Sequence, residues 1–149
     1  MTLPLYALDT SVPLLAQGGP HPRRDACRAV LELAARRSAG FTASVELIQE
    51  FVFHRLRMTG DPELAVAQGR SLRGLVKLVA LDEPVLESAL ELTRQAVARG
   101  RDAVHAASAF RAGADAIITT DPDFGRVPGL RALDPETLLA HHAAGPGGS

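Results

Sequence analysis

The stretch ADAIITTDPDFG (residues 114–125) runs from an apolar segment into two closely spaced carboxylates. Its apolar residues 116–118 predict a buried strand, because short apolar runs bounded by turn residues are typical of one. Asp121 and Asp123 follow, and an Asp-Pro pair is a common start of a turn. The alternative is that the strand carries an acid to a functional site. Deciding between the two requires knowing whether other acids converge on the same place.

Elsewhere in the chain, apolar runs of strand length alternate with segments of helical spacing. Strands are predicted at 3–8, 41–43, 75–81, 115–120 and 130–133, of which the second and the last are very short. Helices are predicted at 23–37, 44–58, 62–72, 83–99, 101–113 and 135–142, with candidate caps at Ser44, Asp61, Asp82 and Asp134. This alternation predicts an α/β domain with a parallel sheet and helices on both faces.

Length and composition indicate one ordinary globular domain. The chain has 149 residues, of which 46% are hydrophobic and 22% are charged. We expect a single domain over residues 1–143 and a flexible tail over residues 144–149, which include the sequence GPGGS. No apolar run approaches ~18 residues and no basic leader precedes one, so we expect a cytoplasmic protein without a membrane span.

The charged residues and the single cysteine exclude several classes of function. A net charge of −1 excludes a strong attraction of the whole molecule to nucleic acid. The basic residues are fifteen arginines and one lysine, and arginine favours bidentate contacts to phosphate, although a GC-rich genome would explain the bias equally well. Cys27 alone cannot form a disulfide framework or a cysteine zinc site within the chain, so we expect it to be a buried filler.

Several acids stand where parallel strands or helices begin or end. Asp9 closes the first predicted strand, Asp102 opens an alanine-rich helix, and Glu46 and Glu50 lie four apart on one helix. In open parallel sheets, ligands collect beyond the carboxyl ends of the strands, where the strand order reverses. If the first and fourth strands are neighbours, Asp9 and Asp121 meet at one edge. A buried cluster of carboxylates repels itself and persists only when protons or cations neutralise it.

Three segments in this order resemble the PIN domain, in its branch of VapC-type ribonuclease toxins. They are LDTSV (8–12), TASVELIQEF (42–51) and RDAVHAASAFRAGADAIITTDPDF (101–124). The resemblance extends over residues 5 to 134 and implies a three-layer fold, with a parallel sheet of four to five strands in the order 3-2-1-4-5. That order would place the first and fourth strands side by side.

The resemblance also implies roles for individual acids. It assigns Asp9, Asp102 and Asp121 to metal binding, and it identifies Glu50, six residues after Ser44, as a fourth catalytic acid. Glu50 would hold a second metal or orient the attacking water. Supporting positions next to these acids are Ser11, Glu46, Thr119 and Asp123.

The activity implied by the resemblance is hydrolysis of RNA phosphodiesters, leaving 5′-phosphate and 3′-hydroxyl ends. Oxygen ligands indicate Mg²⁺ or Mn²⁺, and one or two ions would serve. Further implications are a VapB-like antitoxin as partner and a homodimer. One tyrosine and five phenylalanines offer little stacking surface for bases, so RNA contacts are expected from arginines, with candidates Arg23, Arg24, Arg55 and Arg101.

Two other classes of function remain as alternatives. An aspartate-dependent phosphatase or receiver-like domain also uses an acid after the first strand, but Asp9 is followed by Thr10 and Ser11 and not by the Asp-x-Asp pattern of such phosphatases. The second alternative is a PIN fold that serves as a binding or scaffold module without catalysis. Four of the five histidines, His21, His54, His141 and His142, show no partners at ligand spacing. The fifth, His105, lies three residues after Asp102 and is predicted to pack in the core.

Overall fold

The chain forms a five-stranded, fully parallel sheet, as a computed structural model shows for residues 3–143. The predicted tail at 144–149 lies outside the described residues. The strands are β1 (Leu5–Leu8), β2 (Gly40–Ser44), β3 (Lys77–Val79), β4 (Ala116–Ile118) and β5 (Ala132–Leu133). Their order, β3-β2-β1-β4-β5, confirms the fold that the resemblance implied.

Helices cover both faces of this sheet. They are α1 (Ser11–Gln17), α2 (Arg24–Ala35), α3 (Val45–Thr59), α4 (Pro62–Arg73), α5 (Glu83–Arg94), α6 (Gly100–Ala112) and α7 (Pro135–Ala143), with a 3-10 helix at Pro122–Arg126. Within residues 3–143, no helix combines the length and the apolar character needed to cross a bilayer.

The sheet separates two cores, because successive side chains of a strand point to opposite faces. Tyr6 and Leu8 of β1 face a core completed by side chains from α1–α4 and α7. Ala7 faces the other core, which α5 and α6 cover. The alanines of α6 at positions 103, 106, 107 and 109 are buried there, and their small size lets the helix lie close to the sheet. This packing brings the first turn of α6 near the carboxyl ends of the central strands.

Two local predictions were wrong, and both concern chain next to the predicted acids. Sequence patterning assigned no element to residues 11–17, where the short helix α1 begins directly after β1. The helix predicted at 83–99 ends at Arg94, because Ala96 takes a left-handed conformation (φ 59°) and Val97 N–H bonds back to Leu92 O at 3.2 Å. Gly100, predicted to end that helix, instead begins α6. Residues 95–99 are therefore a loop beside Asp102.

Candidate active site

Asp9 is held in one orientation at the carboxyl end of β1. Its backbone N–H donates to Ile118 O at 3.0 Å, which continues the pairing of β1 with β4. Its Oδ2 accepts hydrogen bonds from Ser11 Oγ at 2.7 Å and from Thr119 Oγ1 at 2.8 Å. The Thr10 N–H donates to Oδ1 at 2.8 Å. The buried carboxylate is thus fixed by two strands, and the two predicted supporting hydroxyls are both bonded to it.

Asp121 and Asp123, which both follow β4, have different surroundings. Asp121 N–H donates to Thr119 Oγ1 at 2.9 Å, and Asp121 Oδ1 accepts from Asp123 N–H at 2.9 Å. Asp121 therefore caps the 3-10 helix, as the turn interpretation predicted, while it stays half-buried next to β1. Asp123 is exposed, and its nearest charged partner is Arg126 at 3.8 Å.

Glu50 is anchored by three side chains, one at the end of β1 and two on α6. Thr10 Oγ1 donates to its Oε1 at 2.5 Å, Arg101 Nη1 lies 3.2 Å from Oε2, and His105 Nε2 lies 3.4 Å from Oε1. The hydrogen bond from His105 contributes most to lowering the pKa of Glu50 to about 2, with further lowering from Thr10 and Arg101 against an opposing effect of burial. Glu50 is consequently ionised throughout the neutral range.

His105 is the functional candidate that the sequence interpretation missed. Its burial confirms the predicted core packing, and it also bonds polar groups at both ring nitrogens, which the sequence did not indicate. Ser44 Oγ lies 2.8 Å from Nδ1 and Thr10 Oγ1 lies 3.1 Å from Nε2. The available signal was the i, i+3 spacing from Asp102, which puts both side chains on the same face of α6.

One arrangement of hydrogens satisfies this network. Ser44 Oγ caps α3 by accepting from Leu47 N–H at 3.1 Å, which leaves its hydroxyl hydrogen to donate to His105 Nδ1. The Nε2 hydrogen of His105 then faces two acceptors, Thr10 Oγ1 at 3.1 Å and Glu50 Oε1 at 3.4 Å, and the Thr10 hydroxyl donates to Glu50. These bonds link the N-terminus of α3, the middle of α6 and the end of β1 to one carboxylate.

The pKa of Asp102 is raised by its surroundings in the site. Burial is the largest cause of its raised pKa, and repulsion from Asp9 adds to it, followed by Asp121 and Glu50, while His105 acts in the opposite direction. Asp102 therefore lies within electrostatic range of the other three acids. Their mutual repulsion favours binding of a cation, which would stabilise all four ionised forms.

The chemistry of these side chains fits a hard divalent cation. All four offer carboxylate oxygens, which Mg²⁺ and Mn²⁺ prefer. Across residues 3–143, no three Asp, Glu, His or Cys side chains converge as a group that could hold a metal by themselves. Mg²⁺ commonly keeps several waters and takes only one or two carboxylates, so the acids fit a partly hydrated ion better than a cage made of protein alone.

Glu46 lies beside Glu50, as their spacing predicts. Both line a cavity of about 210 Å³, together with Phe53 and Arg101. The Oε2 atom of Glu46 is buried without a hydrogen-bond partner among the described residues.

The four arginines predicted to contact RNA have different surroundings. Arg101 is 61% exposed at the rim of the site. Arg23 is engaged by Glu136 at 3.3 Å and by Thr120 O at 3.4 Å, and Arg24 is half-buried at the start of α2. Arg55 is buried between α3 and α4, where its Nε donates to Gln68 Oε1 at 2.9 Å. That burial contradicts the prediction that Arg55 contacts RNA.

The sequence of this chain is similar to those of known proteins. The sequence model of the PIN domain matches residues 6–130. Ribonuclease VapC7 of Mycobacterium tuberculosis (strain ATCC 25618 / H37Rv) is 36% identical over 125 residues, covering 80% of this chain and 84% of the relative.

Solved structures share the fold at lower identity. A toxin–antitoxin complex from Klebsiella pneumoniae superimposes with a TM-score of 0.66 at 16% identity, over 87% of this chain and 97% of that one. Mycobacterium tuberculosis VapC20, described as a sarcin–ricin loop cleaving toxin, gives a TM-score of 0.65 at 21% identity, over 80% of this chain and 92% of that one.

Proposed function

Because the chain belongs to the PIN-domain family, in the branch of the VapC ribonucleases, we propose that it is a Mg²⁺- or Mn²⁺-dependent endoribonuclease. The observation that carries the proposal is a hydrogen-bond network at the carboxyl edge of β1 and β4. Thr119 Oγ1 bonds both the Asp9 carboxylate and the Asp121 backbone, and Thr10, next to Asp9, bonds Glu50. Asp102 lies within range of the charges of these three acids. The 36% identity to Ribonuclease VapC7 supports RNA as the substrate.

In this proposal, Asp9, Asp102 and Asp121 hold the metal. When bound, Mg²⁺ or Mn²⁺ supplies positive charge beside the scissile phosphate and lowers the pKa of a water molecule. Asp9 is suited to metal binding because the hydroxyls of Ser11 and Thr119 fix its carboxylate without neutralising its charge. Asp102 would gain most from the cation, since its ionised form is disfavoured by burial and by the neighbouring acids.

Glu50 has a different part in the proposal. A carboxylate with a pKa of about 2 is a poor proton acceptor at neutral pH, because general bases work best with a pKa near the working pH. Its fixed oxygens are suited to accepting a hydrogen bond from the attacking water and thereby orienting it. Thr10, His105 and Arg101 would keep it ionised and in place.

The proposal includes the role of toxin in a toxin–antitoxin pair, with a VapB-like antitoxin as partner and a homodimer as the working form. Its support is membership of the VapC branch and the shared fold with the Klebsiella toxin–antitoxin complex. Co-expression with the product of the neighbouring reading frame, if that frame encodes a small protein, followed by purification through a tag on one component, tests the partner. Light scattering of the purified chain tests the dimer.

The experiment that tests the activity is cleavage of a 5′-labelled single-stranded RNA. We expect cleavage with Mg²⁺ or Mn²⁺, its loss with EDTA, and a drop of at least about 100-fold for Asp9→Asn, since even groups outside the ligand set typically cost 10–100-fold. Asp25→Asn is the matched control, because it removes one exposed carboxylate from α2. Cleavage that survives EDTA or Asp9→Asn would refute the metal–carboxylate mechanism, and a folded protein without cleavage would favour a binding module.

A further inference from the structure

A second cavity opens beside Asp102. Its volume is about 360 Å³. Its walls are the end of α5, the loop 95–99 that follows α5, and the 3-10 helix after β4. Asp102 lines it and is the residue that the cavity shares with the acidic site. A ligand group in the cavity would therefore lie next to the metal-binding acids.

The walls of this cavity are apolar. Phe124 and Val127 are buried in the core beneath it, and Val97 and Ala98 of the loop are half-buried. Val97 and Ala98 therefore give the accessible apolar surface that a planar ring could contact, and Phe124 and Val127 support it from the core. The volume falls at the low end of the roughly 300–1,000 Å³ typical of small-molecule sites, which suits one planar group with its sugar and not a folded peptide segment.

The rim carries both hydrogen-bond donors and an acceptor. Arg99 is exposed and forms no ion pair or side-chain hydrogen bond within residues 3–143. Arg126 pairs with Asp123 at 3.8 Å, but both side chains are largely exposed, at 73% and 67%, so their contact is weak and a ligand can replace it. Two guanidinium groups and one carboxylate around an apolar slot match a group that combines a planar ring, polar edges and a phosphate.

We propose that this cavity, between the loop 95–99 and the 3-10 helix, binds the nucleotide of single-stranded RNA that adjoins the scissile phosphate. Arg99 and Arg126 contact its phosphate or the acceptor atoms of its base, Asp123 accepts from the base edge, and the apolar walls contact the ring. This inference rests on the proposed ribonuclease function and adds the subsite that would select sequence. It also gives Asp123 a role in recognition in place of the supporting role predicted beside the metal-binding acids.

The test compares cleavage kinetics of variants on one single-stranded RNA oligonucleotide under Mg²⁺. Arg99→Ala and Arg126→Ala remove donors, and Thr93→Phe fills the cavity from an exposed position on α5. Arg111→Ala is the matched control, because it removes one exposed arginine from the opposite end of α6 and changes the net charge equally. Thermal unfolding of each variant separates a loss of folding from a loss of binding.

We expect KM to rise at least about 10-fold for each cavity variant, the effect of losing one charge-assisted hydrogen bond or the ring contact. Arg111→Ala should change KM less than about 2-fold, as for a surface charge away from the ligand. The wild type should cleave substrates that differ only at the nucleotide next to the cleavage point with different efficiencies. Thr93→Phe should cleave the same substrates with similar efficiencies.

The possible outcomes separate this inference from the proposed function. Cavity variants that cleave with the KM and base ranking of the wild type would overturn the subsite and leave the ribonuclease intact. Variants that keep normal RNA kinetics but lose binding to a co-expressed antitoxin would assign the cavity to a protein partner and also overturn it. A wild type that neither cleaves nor binds the oligonucleotide would overturn both proposals.

Discussion

At the scale of single residues, Asp102 shows a conflict between stability and function. Its carboxylate is half-buried and is repelled by the other acids, so its pKa is raised above the usual range. A group with a raised carboxyl pKa in the folded state makes folding less favourable once the pH exceeds its unfolded value. Without a cation, the ionised form of Asp102 therefore destabilises the fold.

We predict that Asp102→Asn raises the melting temperature at pH 7 in EDTA, although it removes activity. The melting temperature should rise by about 2–4 °C for each kcal/mol gained in the free energy of unfolding, as is typical of a domain of this size. The gain should shrink as the pH falls through the raised pKa of Asp102, because the wild-type carboxyl then becomes neutral as well. Calorimetry across the pH range measures this, with exposed Asp25→Asn as the control, and an unchanged or lower melting temperature for Asp102→Asn at pH 7 would contradict it.

His105 makes a second prediction at this scale, as a positioning residue that acts through Glu50. His105→Leu should lower kcat by about 10–100-fold, the cost typical of losing a group that orients a catalytic ligand. His105→Gln, which keeps a donor at the end of the side chain, should retain more activity. The acid limb of the pH–rate profile should also move upward, because the pKa of Glu50 rises when its main hydrogen bond is lost.

The control for His105 is one turn further along α6. Ser108 is equally buried, but its hydroxyl has no hydrogen-bond partner in the described part of the chain. Ser108→Ala should leave kcat and the pH profile unchanged and should not lower stability, since it removes an unsatisfied buried group. If Ser108→Ala affected the pH profile as much as His105→Leu, general disturbance of α6 would be the better explanation.

At the scale of elements, helix starts could be read from local sequence. The predicted caps Ser44, Asp61, Asp82 and Asp134 all accept a hydrogen bond from the backbone N–H three residues later, which confirms them. A cap depends on one side chain and its own first turn, so it needs no distant partner. The end of α5 could not be read in this way, because the pattern of residues 95–99 remains compatible with helix.

Gly69 gives a prediction about the contact between α3 and α4. A Cβ at this position would lie 2.3 Å from Val52 Cγ2, and the branched valine has little rotamer freedom in a helix. Helix propensity alone would make Gly69→Ala stabilising by about 1 kcal/mol. We expect the overlap to prevail and the variant to be destabilised by about 1–3 kcal/mol in urea unfolding.

The double variant Gly69→Ala with Val52→Ala tests the cause of that loss. The double variant should lose much less free energy of unfolding than the sum of the losses of the two single variants, because the overlapping methyl group is absent. Strict additivity of the two effects would show that the helices do not depend on this close approach.

At the scale of the whole molecule, the net charge of −1 predicts how RNA binding responds to salt. With little long-range attraction, the salt dependence of KM should come from a few local arginines. Each phosphate contact to single-stranded nucleic acid contributes a slope of about −0.7 in a plot of log affinity against log salt. Arg126→Ala should reduce the slope by that amount and Arg111→Ala should not; equal slopes for both variants would remove Arg126 from the RNA contacts.

Local sequence was enough to predict the kinds and the order of most elements and the helix caps, because periodicity and capping are local properties. The sheet order came from resemblance to a family and not from patterning. The end of α5 at Arg94 depends on the left-handed backbone of Ala96, which helical patterning does not reveal. The burial of Arg55 and the contacts of Thr10 and His105 with Glu50 became visible in the folded chain. Arg55 bonds Gln68 of the next helix, 13 positions away, and Thr10 and His105 lie 40 and 55 positions from Glu50, so no local pattern encodes these contacts.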